Sequence, residues 1–348
     1  MGRESYFDHA ATTPLDSAVF AAMRPWMEDE FANANSIHSA GLKARAAVDT
    51  ARTQVAVALG VDPDEIVFTS GATEANNWVA NAFERVRVSP IEHSSLWERL
   101  KGGAYAWDQC NEPEISCCMA VNNETGGRYR HATVGTEKWH CDLTQAVGKI
   151  PIELGFEFAS FSAHKFYGPK GVGALYAKDA RFPLPLLIGG EHEMGHRAGT
   201  LNVGAIVGMG EAISRAIASQ EEDFEHAMAL RNAVKEELSV LSDWQENGLG
   251  AFPAADKLSP FILNVSFLEV EGEATVIGLD HAGFAISSGA ACSSWSNEPS
   301  HVLTALGLPI EWLRGSIRIS FGRSNTVESA RSLAKNLILV VENLRKLV

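Results

Sequence analysis

The chain has 348 residues, with 29 Lys and Arg against 43 Asp and Glu, and a formal net charge of −14. A charge this acidic argues against nucleic acid or an anionic membrane as the main partner, because both attract positive surfaces. No apolar run approaches the ~20 residues of a membrane span, and the first residues form no secretory signal. The five cysteines are too few for a disulfide framework and indicate a reducing compartment. We therefore expect a cytoplasmic protein of enzyme size.

Helical and strand-like segments alternate through the first two thirds of the chain. Apolar residues at helical spacing predict helices in about 16–30, 39–59, 73–85, 201–247, 299–307 and 326–346. Short β-branched or apolar runs predict strands at Ile66–Thr69, Val86–Ile91, Ile115–Val121, Phe158–Ser162, Gly173–Ala177, Leu263–Phe267 and Ile317–Phe321. This alternation predicts an α/β fold with a mostly parallel sheet, followed by a shorter α+β segment.

The length and the turn residues predict two domains. The chain exceeds the ~100–200 residues of one ordinary domain. A hinge is expected at Gly248-Leu249-Gly250, which follows the long helical stretch. We therefore expect a large domain at 14–247 and a small domain formed by 1–13 and 248–348.

A lysine and an upstream aspartate suggest a cofactor site. Lys165 follows a predicted strand, lies beside His164 and near Ser162, and leads into a Gly/Pro turn. Such a lysine can form a Schiff base, most commonly with pyridoxal phosphate, although a solvated loop lysine fits this stretch equally well. Asp142 ends a short strand-like run, where it could keep a pyridine nitrogen protonated, and the Gln145 amide could donate to the phenolic oxygen. A lone Asp after a strand is usually a helix cap, so the pairing with a downstream lysine is the more specific signal.

The turn Ser70-Gly71-Ala72-Thr73 ends a predicted strand and begins a helix. Backbone N–H groups and the helix dipole at such a terminus can bind a phosphate, and an ordinary Thr cap with no ligand is the alternative. The chain has neither G-x-x-x-x-G-K-[ST] nor a strand–G-x-G-x-x-G–helix unit. The usual nucleotide-binding signatures are therefore missing.

The cysteines differ in their surroundings. Small residues flank Cys292 in Ser287–Ser294, which predicts an accessible loop suited to a nucleophilic thiol. Cys117 and Cys118 lie within a predicted strand and are expected to be inert core residues.

One motif points to a different chemistry. His192-Glu193-Met194-Gly195-His196 matches the H-E-x-x-H zinc signature, which needs both histidines on one helical face. The glycines within and around it oppose a helix at a cost of ~1 kcal/mol each, so we expect no metal site.

In this order along the chain, the motifs resemble the cysteine desulfurases of the NifS and IscS type, which are class V, fold-type I pyridoxal-phosphate enzymes. The resemblance is carried by Tyr6–Pro14, Asn35–His38, Ser70–Glu74, Asn122–Gly126, Asp142 with Gln145, Ser162–Lys165, Arg197–Thr200, Ser287–Cys292 and Ile317–Ser320. It implies a fold-type I transferase with a large domain, whose sheet is mostly parallel, and a small α+β domain that carries the cysteine loop. It also implies a homodimer.

Matching positions give the cofactor-binding residues that the resemblance implies. Lys165 would hold pyridoxal 5'-phosphate and later move protons at the substrate Cα, and His93 would stack on the ring and assist acid–base steps. Asp142 would bind the ring nitrogen, with Gln145 and Asn123 near the phenolic oxygen and the substrate. The phosphate would be held by Thr73, Ser162, His164 and the backbone of Ala72, while Thr200 would reach the phosphate of the other subunit.

The resemblance also implies the reaction. Arg318 would pair with the carboxylate of L-cysteine, and Cys292 would attack its sulfur, so that L-alanine leaves and a persulfide remains on the protein. The persulfide would pass to a sulfur-acceptor protein for iron–sulfur cluster assembly or tRNA thiolation. Two alternatives are a selenocysteine lyase or other class V enzyme, and a partner-dependent or non-catalytic binding subunit.

The second alternative arises because the chain is short around 94–141. The matched segments lie closer together than in the family pattern between His93 and Asn123, and again between Gly126 and Asp142. If 104–107 is a strand parallel to 115–121, the connection has about seven residues, whereas a parallel crossover takes a dozen or more. We therefore expect a large domain trimmed there, with either a missing helix or a different strand pairing.

Overall fold

The computed structural model describes residues 2–110, 112–129, 138–249, 255, 257–288 and 299–347. Its helices are α1 (Ser17–Glu28), α2 (Ser39–Leu59), α3 (Ala72–Asn81), α4 (Ser94–Trp97), α5 (Val203–Ala218), α6 (Gln220–Leu238), α7 (Gly272–His281), α8 (His301–Ala305), α9 (Ile310–Arg314) and α10 (Val327–Arg345). Its strands are β1 (Ile66–Thr69), β2 (Val86–Val88), β3 (Tyr105–Ala106), β4 (Ile115–Cys117), β5 (Gly127–Arg128), β6 (Lys138–Asp142), β7 (Phe158–Ser162), β8 (Gly173–Ala177), β9 (Trp244–Glu246), β10 (Lys257–Leu258), β11 (Ile262–Phe267), β12 (Ser287–Ser288) and β13 (Ser316–Ser320).

A seven-stranded sheet in the order β1-β8-β7-β6-β4-β2-β3 forms the centre of the larger unit. The neighbours from β7 to β3 pair in parallel, and β8 is antiparallel to both β7 and β1. The expectation of a mostly parallel sheet is confirmed. Because β1, β6 and β7 run in the same direction, their carboxyl ends meet at one edge of the sheet, where an α/β fold binds ligands.

The smaller unit contains an antiparallel sheet in the order β12-β13-β11-β9 and a two-stranded ribbon of β5 with β10. Its core contains buried apolar residues of α6, α10, β11 and β13, including Leu230, Leu263, Ile319 and Leu337. The amphipathic pattern of α10 places such residues on one face, and Thr326 caps the helix by accepting from the backbone N–H of Ser329. This sheet carries Arg318 on β13.

The backbone divides into two units whose boundaries differ from the expected large domain at 14–247 and small domain at 1–13 and 248–348. One unit comprises the described residues of Met1–Thr12, Val121–Arg130 and Glu221–Val348, and the other those of Thr13–Ala120 and His131–Gln220. The segment 121–130 belongs to the smaller unit because β5 pairs with β10 there. The boundary near residue 220 reflects the packing of α6 into the core of the same unit.

Several predicted elements are shorter or divided. The single helical stretch 201–247 is wrong: Ser219 ends α5, α6 follows, and 244–246 is a strand. Gly248 is closely packed, since a Cβ there would lie 2.8 Å from Cδ2 of Leu258. β3, at 105–106, pairs with β2 and not with β4. β2 therefore lies between β3 and β4 in the sheet, and the short connection from β3 to β4 passes over it.

No helix in the part of the chain that the structure describes has both the length and the apolar character that a membrane span needs.

Candidate functional site

Asp142 ends β6 at the edge of the large sheet where the carboxyl ends of β1, β6 and β7 meet, and two donors hold its carboxylate. Its Oδ2 accepts from Nδ2 of Asn76 at 2.8 Å, and its Oδ1 accepts from the backbone N–H of Thr144 at 2.9 Å. The residue is 5% exposed. An ionised carboxylate has about four acceptor positions, so two donors fix its orientation and leave capacity for a third. The side chain is therefore suited to receive a ring N–H.

Asn76 orients this carboxylate, and sequence reasoning assigned it no role. It lies fully buried on α3 and accepts through Oδ1 from the hydroxyl of Ser160. The same Oδ1 lies 2.8 Å from Nε2 of His140. Because Oδ1 is occupied by donors, the amide must present Nδ2 to Asp142. The only signal in the sequence was a polar residue on the apolar face of a predicted helix.

The turn for which the sequence predicts phosphate binding lies at the N-terminus of α3. The first backbone N–H groups of a helix lack intrahelical partners and carry partial positive charge. Gly71 begins the turn with φ 154°, and the Ala72 N–H donates to Oγ of Ser162 at 2.7 Å. Gly173 allows this close approach, because a Cβ there would lie 2.6 Å from Cα of Gly71. Thr73 is exposed on the first turn.

Lys165 lies in a single 3-10 turn, Ala163–Lys165, directly after β7 and is half-buried. The turn is anchored by Thr13, whose backbone N–H and hydroxyl both donate to the carbonyl of His164 at 2.9 Å. Tyr167 follows with φ 66°, a strained conformation for a non-glycine residue. Burial, with the positive charges of Lys165, Lys170 and Lys149, lowers the pKa of His164 to about 4. The imidazole is therefore neutral at pH 7.

His93 caps α4 and lies in the electrostatic field of the same groups. Burial lowers the pKa of its ring, the charge of Asp142 opposes the shift, and that of Lys165 adds to it. Its Nδ1 accepts from the backbone N–H of Ser95 at 3.2 Å. A neutral ring that accepts at Nδ1 carries its proton at Nε2, so His93 presents an N–H at that atom.

The amide of Gln145 is also fixed by a partner. Its Oε1 accepts from Nζ of Lys149 at 2.5 Å, and both residues are buried. Because the lysine occupies the oxygen, the NH2 group is the end of the amide that can donate elsewhere. The donor role expected of Gln145 is compatible with this arrangement.

In the smaller unit, Arg318 lies on β13 with 2% exposure. Its Nη1 donates to the carbonyl of Asn123 at 2.9 Å. Its Nη2 donates to Oδ1 of Asp8 at 2.7 Å and to Oγ of Ser287 at 3.1 Å. Arg318 and Asn123, both predicted to bind substrate, are thus in contact through the Asn123 carbonyl. The structure adds Asp8 and Ser287, to which sequence reasoning gave no role.

Glu124 lies next to Asn123 and is buried. Burial raises its pKa to about 7, although the hydrogen bond from Ser300 and the positive charge of Arg318 act to lower it. The hydroxyl of Ser300 donates to its Oε2 at 2.5 Å and also accepts from the backbone N–H of Leu303, which caps α8. The carboxyl group is therefore partly protonated near neutral pH.

The proposed nucleophile Cys292 lies outside the described residues, within 289–298. The interpretation of Cys117 and Cys118 as inert core residues agrees with their burial, which raises the pKa of both thiols well above its usual range. Cys141 is buried in the same way. Nearby Glu92 is fully buried, and burial together with the charge of Asp142 raises its pKa well above the ordinary value.

The H-E-x-x-H stretch is not an α-helix. His192–Gly195 is a short turn in which Glu193 and Met194 have positive φ. Glu193 is buried and forms a two-pronged ion pair with Arg52, with distances of 2.7 and 2.9 Å. Its Oε2 also accepts from the backbone N–H of Phe68, so the carboxylate anchors this turn to β1. Thr200, further along, is exposed.

The chain is similar over nearly its whole length to known proteins of one family. Residues 5–101 and 105–333 match the aminotransferase class-V family. A curated relative, the cysteine desulfurase IscS of Dictyoglomus turgidum, is 38% identical over 384 residues, covering 99% of this chain and 96% of the relative. That alignment is longer than the 348 residues of the chain, so the relative has positions that this chain lacks.

Solved structures are similar in fold as well. A NifS-like protein superposes with a TM-score of 0.87 at 30% identity and covers 98% of this chain and all of its own. A structure described as SspA in complex with cysteine has a TM-score of 0.76 at 30% identity and covers 92% of this chain and all of its own.

Proposed function

Because the chain belongs to the aminotransferase class-V family, we propose that it is a pyridoxal-phosphate-dependent cysteine desulfurase. It would convert L-cysteine to L-alanine and retain the sulfur as a persulfide on Cys292. The observation that carries the proposal is the convergence of three strand ends on one sheet edge. The end of β6 bears Asp142, Lys165 follows the end of β7, and the end of β1 leads into α3.

The residues at this edge fit pyridoxal 5'-phosphate by the chemistry of their donors and acceptors. Asp142 is a buried carboxylate with a free acceptor position for a protonated ring nitrogen. The N-terminus of α3, with Thr73, Ser162 and the backbone at Ala72, offers donors for a phosphate. His164 would contribute as a neutral donor, so the helix terminus must supply most of the favourable charge.

When bound, the cofactor supplies an electron sink for the carbanion at the substrate Cα. The protein residues do the rest. Lys165 would hold the cofactor and move the proton at Cα. Asp142, oriented by Asn76, would keep the ring nitrogen protonated. His93, with its proton on Nε2, would stack on the ring and donate a proton there, while Gln145 would donate to the phenolic oxygen.

Substrate binding and sulfur transfer would use the smaller unit. Arg318 would pair with the carboxylate of L-cysteine, and Asn123, whose carbonyl already binds Arg318, would help to orient it. The Cys292 thiolate would form a sulfur–sulfur bond with the substrate Sγ as the carbon–sulfur bond breaks. The carbon keeps the electron pair and takes up a proton, so L-alanine leaves and a persulfide remains on Cys292.

The proposal includes a homodimer and a sulfur-acceptor protein. Thr200 would reach the phosphate bound by the other subunit, and its exposure within one chain is compatible with that role. The large unit also exposes apolar side chains such as Leu184 and Ile188, at 87% and 92%, which a partner would cover. We place the enzyme in the cytoplasm, where reduced thiols persist, with the persulfide passing to iron–sulfur cluster assembly or tRNA thiolation.

The test loads the purified protein with pyridoxal phosphate and measures L-alanine and sulfide formed from L-cysteine with a thiol reductant. Lys165→Ala should lose both products together with the visible absorbance band of the bound cofactor. Lys170→Ala removes an exposed lysine of the same loop and should keep all three. Equal alanine formation by Lys165→Ala and the wild type would overturn the assignment. So would a cofactor-loaded wild type that forms no alanine with or without an acceptor protein.

A further inference from the structure

Three segments of the smaller unit converge on the guanidinium of Arg318. Ser287 on β12 lies directly opposite Arg318 on β13 in the antiparallel register. The N-terminal segment runs alongside, with Asp8 bridged to Ser320 and Tyr6 bridged to Ala285. The backbone thus places Asp8, Ser287 and Arg318 side by side.

The three side chains bond to one another in a closed triangle. Arg318 Nη2 donates to Asp8 Oδ1 at 2.7 Å and to Ser287 Oγ at 3.1 Å, and the Ser287 hydroxyl donates to the same Oδ1 at 2.8 Å. The side chains of Arg318 and Asp8 are 3% and 18% exposed. Charge-assisted bonds in such a buried place are stronger and more directional than those in water, so they fix the plane of the guanidinium.

Some donors of Arg318 remain for a ligand. Its Nη1 donates to the carbonyl of Asn123, and Nε is buried with no hydrogen-bond partner among the residues that the structure describes. A guanidinium has five N–H groups, and the contacts with Asp8, Ser287 and Asn123 account for three. A buried donor without a partner is costly unless a ligand satisfies it.

Ser287 also lies close in sequence to Cys292, the proposed nucleophile. Ser287 precedes Cys292 by five positions in the sequence. The same carboxylate of Asp8 therefore binds both the substrate-carboxylate arginine and the strand that leads into the cysteine-bearing segment.

We infer that Asp8 is a positioning residue that holds Arg318 in the orientation needed for the substrate carboxylate and, through Ser287, fixes the strand that precedes Cys292. The inference rests on the proposed function, because it takes the roles of Arg318 and Cys292 from it. Asp8 and Ser287 therefore have separable effects on the reaction. Loss of the Asp8 charge acts on substrate binding, whereas loss of the Ser287 hydroxyl acts on sulfur transfer.

The experiment compares Asp8→Asn, Ser287→Ala and the control Glu4→Gln, which removes an exposed charge of the same N-terminal segment. Each holoenzyme is assayed for KM and kcat with L-cysteine, and for binding of L-alanine by calorimetry. L-Alanine has the carboxylate and the amino group but no thiol, so its affinity reports on carboxylate binding without a contribution from sulfur transfer. Thermal melting curves report on folding.

Asp8→Asn should raise KM and weaken L-alanine binding by about tenfold or more, the effect of losing one charge-assisted hydrogen bond. Ser287→Ala keeps the ion pair, so its KM and L-alanine affinity should stay within about twofold of wild type while kcat falls about fivefold, as for one neutral hydrogen bond. Glu4→Gln should match the wild type.

The outcomes separate the inference from the proposed function. If the wild type forms alanine from L-cysteine but Asp8→Asn keeps the wild-type KM and L-alanine affinity, the positioning role is wrong. A lower melting temperature with unchanged KM would mean a purely structural ion pair and would also overturn it. If Ser287→Ala keeps the wild-type kcat, the link to Cys292 is wrong. A holo wild type that neither binds L-alanine nor consumes L-cysteine would instead refute the proposed function.

Discussion

The buried carboxyl of Glu124 makes a quantitative prediction about stability and pH. Burial raises its pKa from 4.5 to about 7 in the folded chain. The folded state therefore binds this proton more tightly than the unfolded state does. The stability that this bound proton contributes is fully present below the pKa of Glu124 in the unfolded chain. It is lost as the pH rises through about 7, the pKa in the folded chain. A shift of this size corresponds to about 3 kcal/mol, since one pKa unit is 1.36 kcal/mol.

The perturbation is Glu124→Gln. The amide oxygen can still accept from the Ser300 hydroxyl, which lies 2.5 Å from Oε2 in the wild type, and no charge has to be buried. The variant should be more stable than the wild type by up to about 3 kcal/mol at pH 8, and the advantage should disappear near pH 4.5.

The assay measures the free energy of unfolding in urea for both proteins at several pH values between 4.5 and 8. Taking the difference between them removes the contribution of groups such as Glu92, which titrate in both. Glu221→Gln, at an exposed position of α6, is the control and should show no pH-dependent difference. A wild type that is equally or more stable than Glu124→Gln at pH 8 would refute the reasoning.

Three further substitutions test other buried contacts. Asn76→Ala should weaken retention of pyridoxal phosphate, measured by dialysis and absorbance, because the Asp142 carboxylate loses a donor. The control Asn77→Ala, on the same helix, should retain the cofactor. Equal retention by both variants would contradict the role of Asn76. Glu193→Gln should cost about 3–5 kcal/mol in unfolding free energy, since it leaves Arg52 buried without its charge partner, and a loss below 1 kcal/mol would count against the pair. Gly173→Ala should destabilise by about 1–3 kcal/mol through overpacking, and an unchanged melting temperature would show that the site can relax.

The sequence was sufficient to predict a mostly parallel sheet and several of its strands. Short β-branched or apolar runs at 66–69, 158–162 and 173–177 coincide with β1, β7 and β8, because these strands are buried along their whole length. A mostly parallel sheet places the carboxyl ends of most of its strands at one edge. Residues such as Asp142 and Lys165, which follow strand ends, are therefore expected to lie at one edge.

The contacts that orient the site residues could not be predicted in this way. Asn76 meets His140 across 64 positions, Arg52 meets Glu193 across 141, and Ser300 meets Glu124 across 176. Each partner looks like an ordinary polar residue locally, and only the folded backbone brings them together. The break of the helical stretch 201–247 at Ser219 was missed for a similar reason, since the apolar periodicity continues across the cap.

The most direct test of the proposed function is the location of the transferred sulfur. Holoenzyme is mixed with one equivalent of L-cysteine without reductant, digested, and examined by mass spectrometry for a sulfur added to the peptide that contains Cys292. For the wild type, we predict one extra sulfur on Cys292 and an equal amount of L-alanine. The Cys292→Ser variant should keep its cofactor absorbance but release no sulfide and carry no added sulfur. Normal sulfide release by Cys292→Ser, or added sulfur on another cysteine alone, would contradict it.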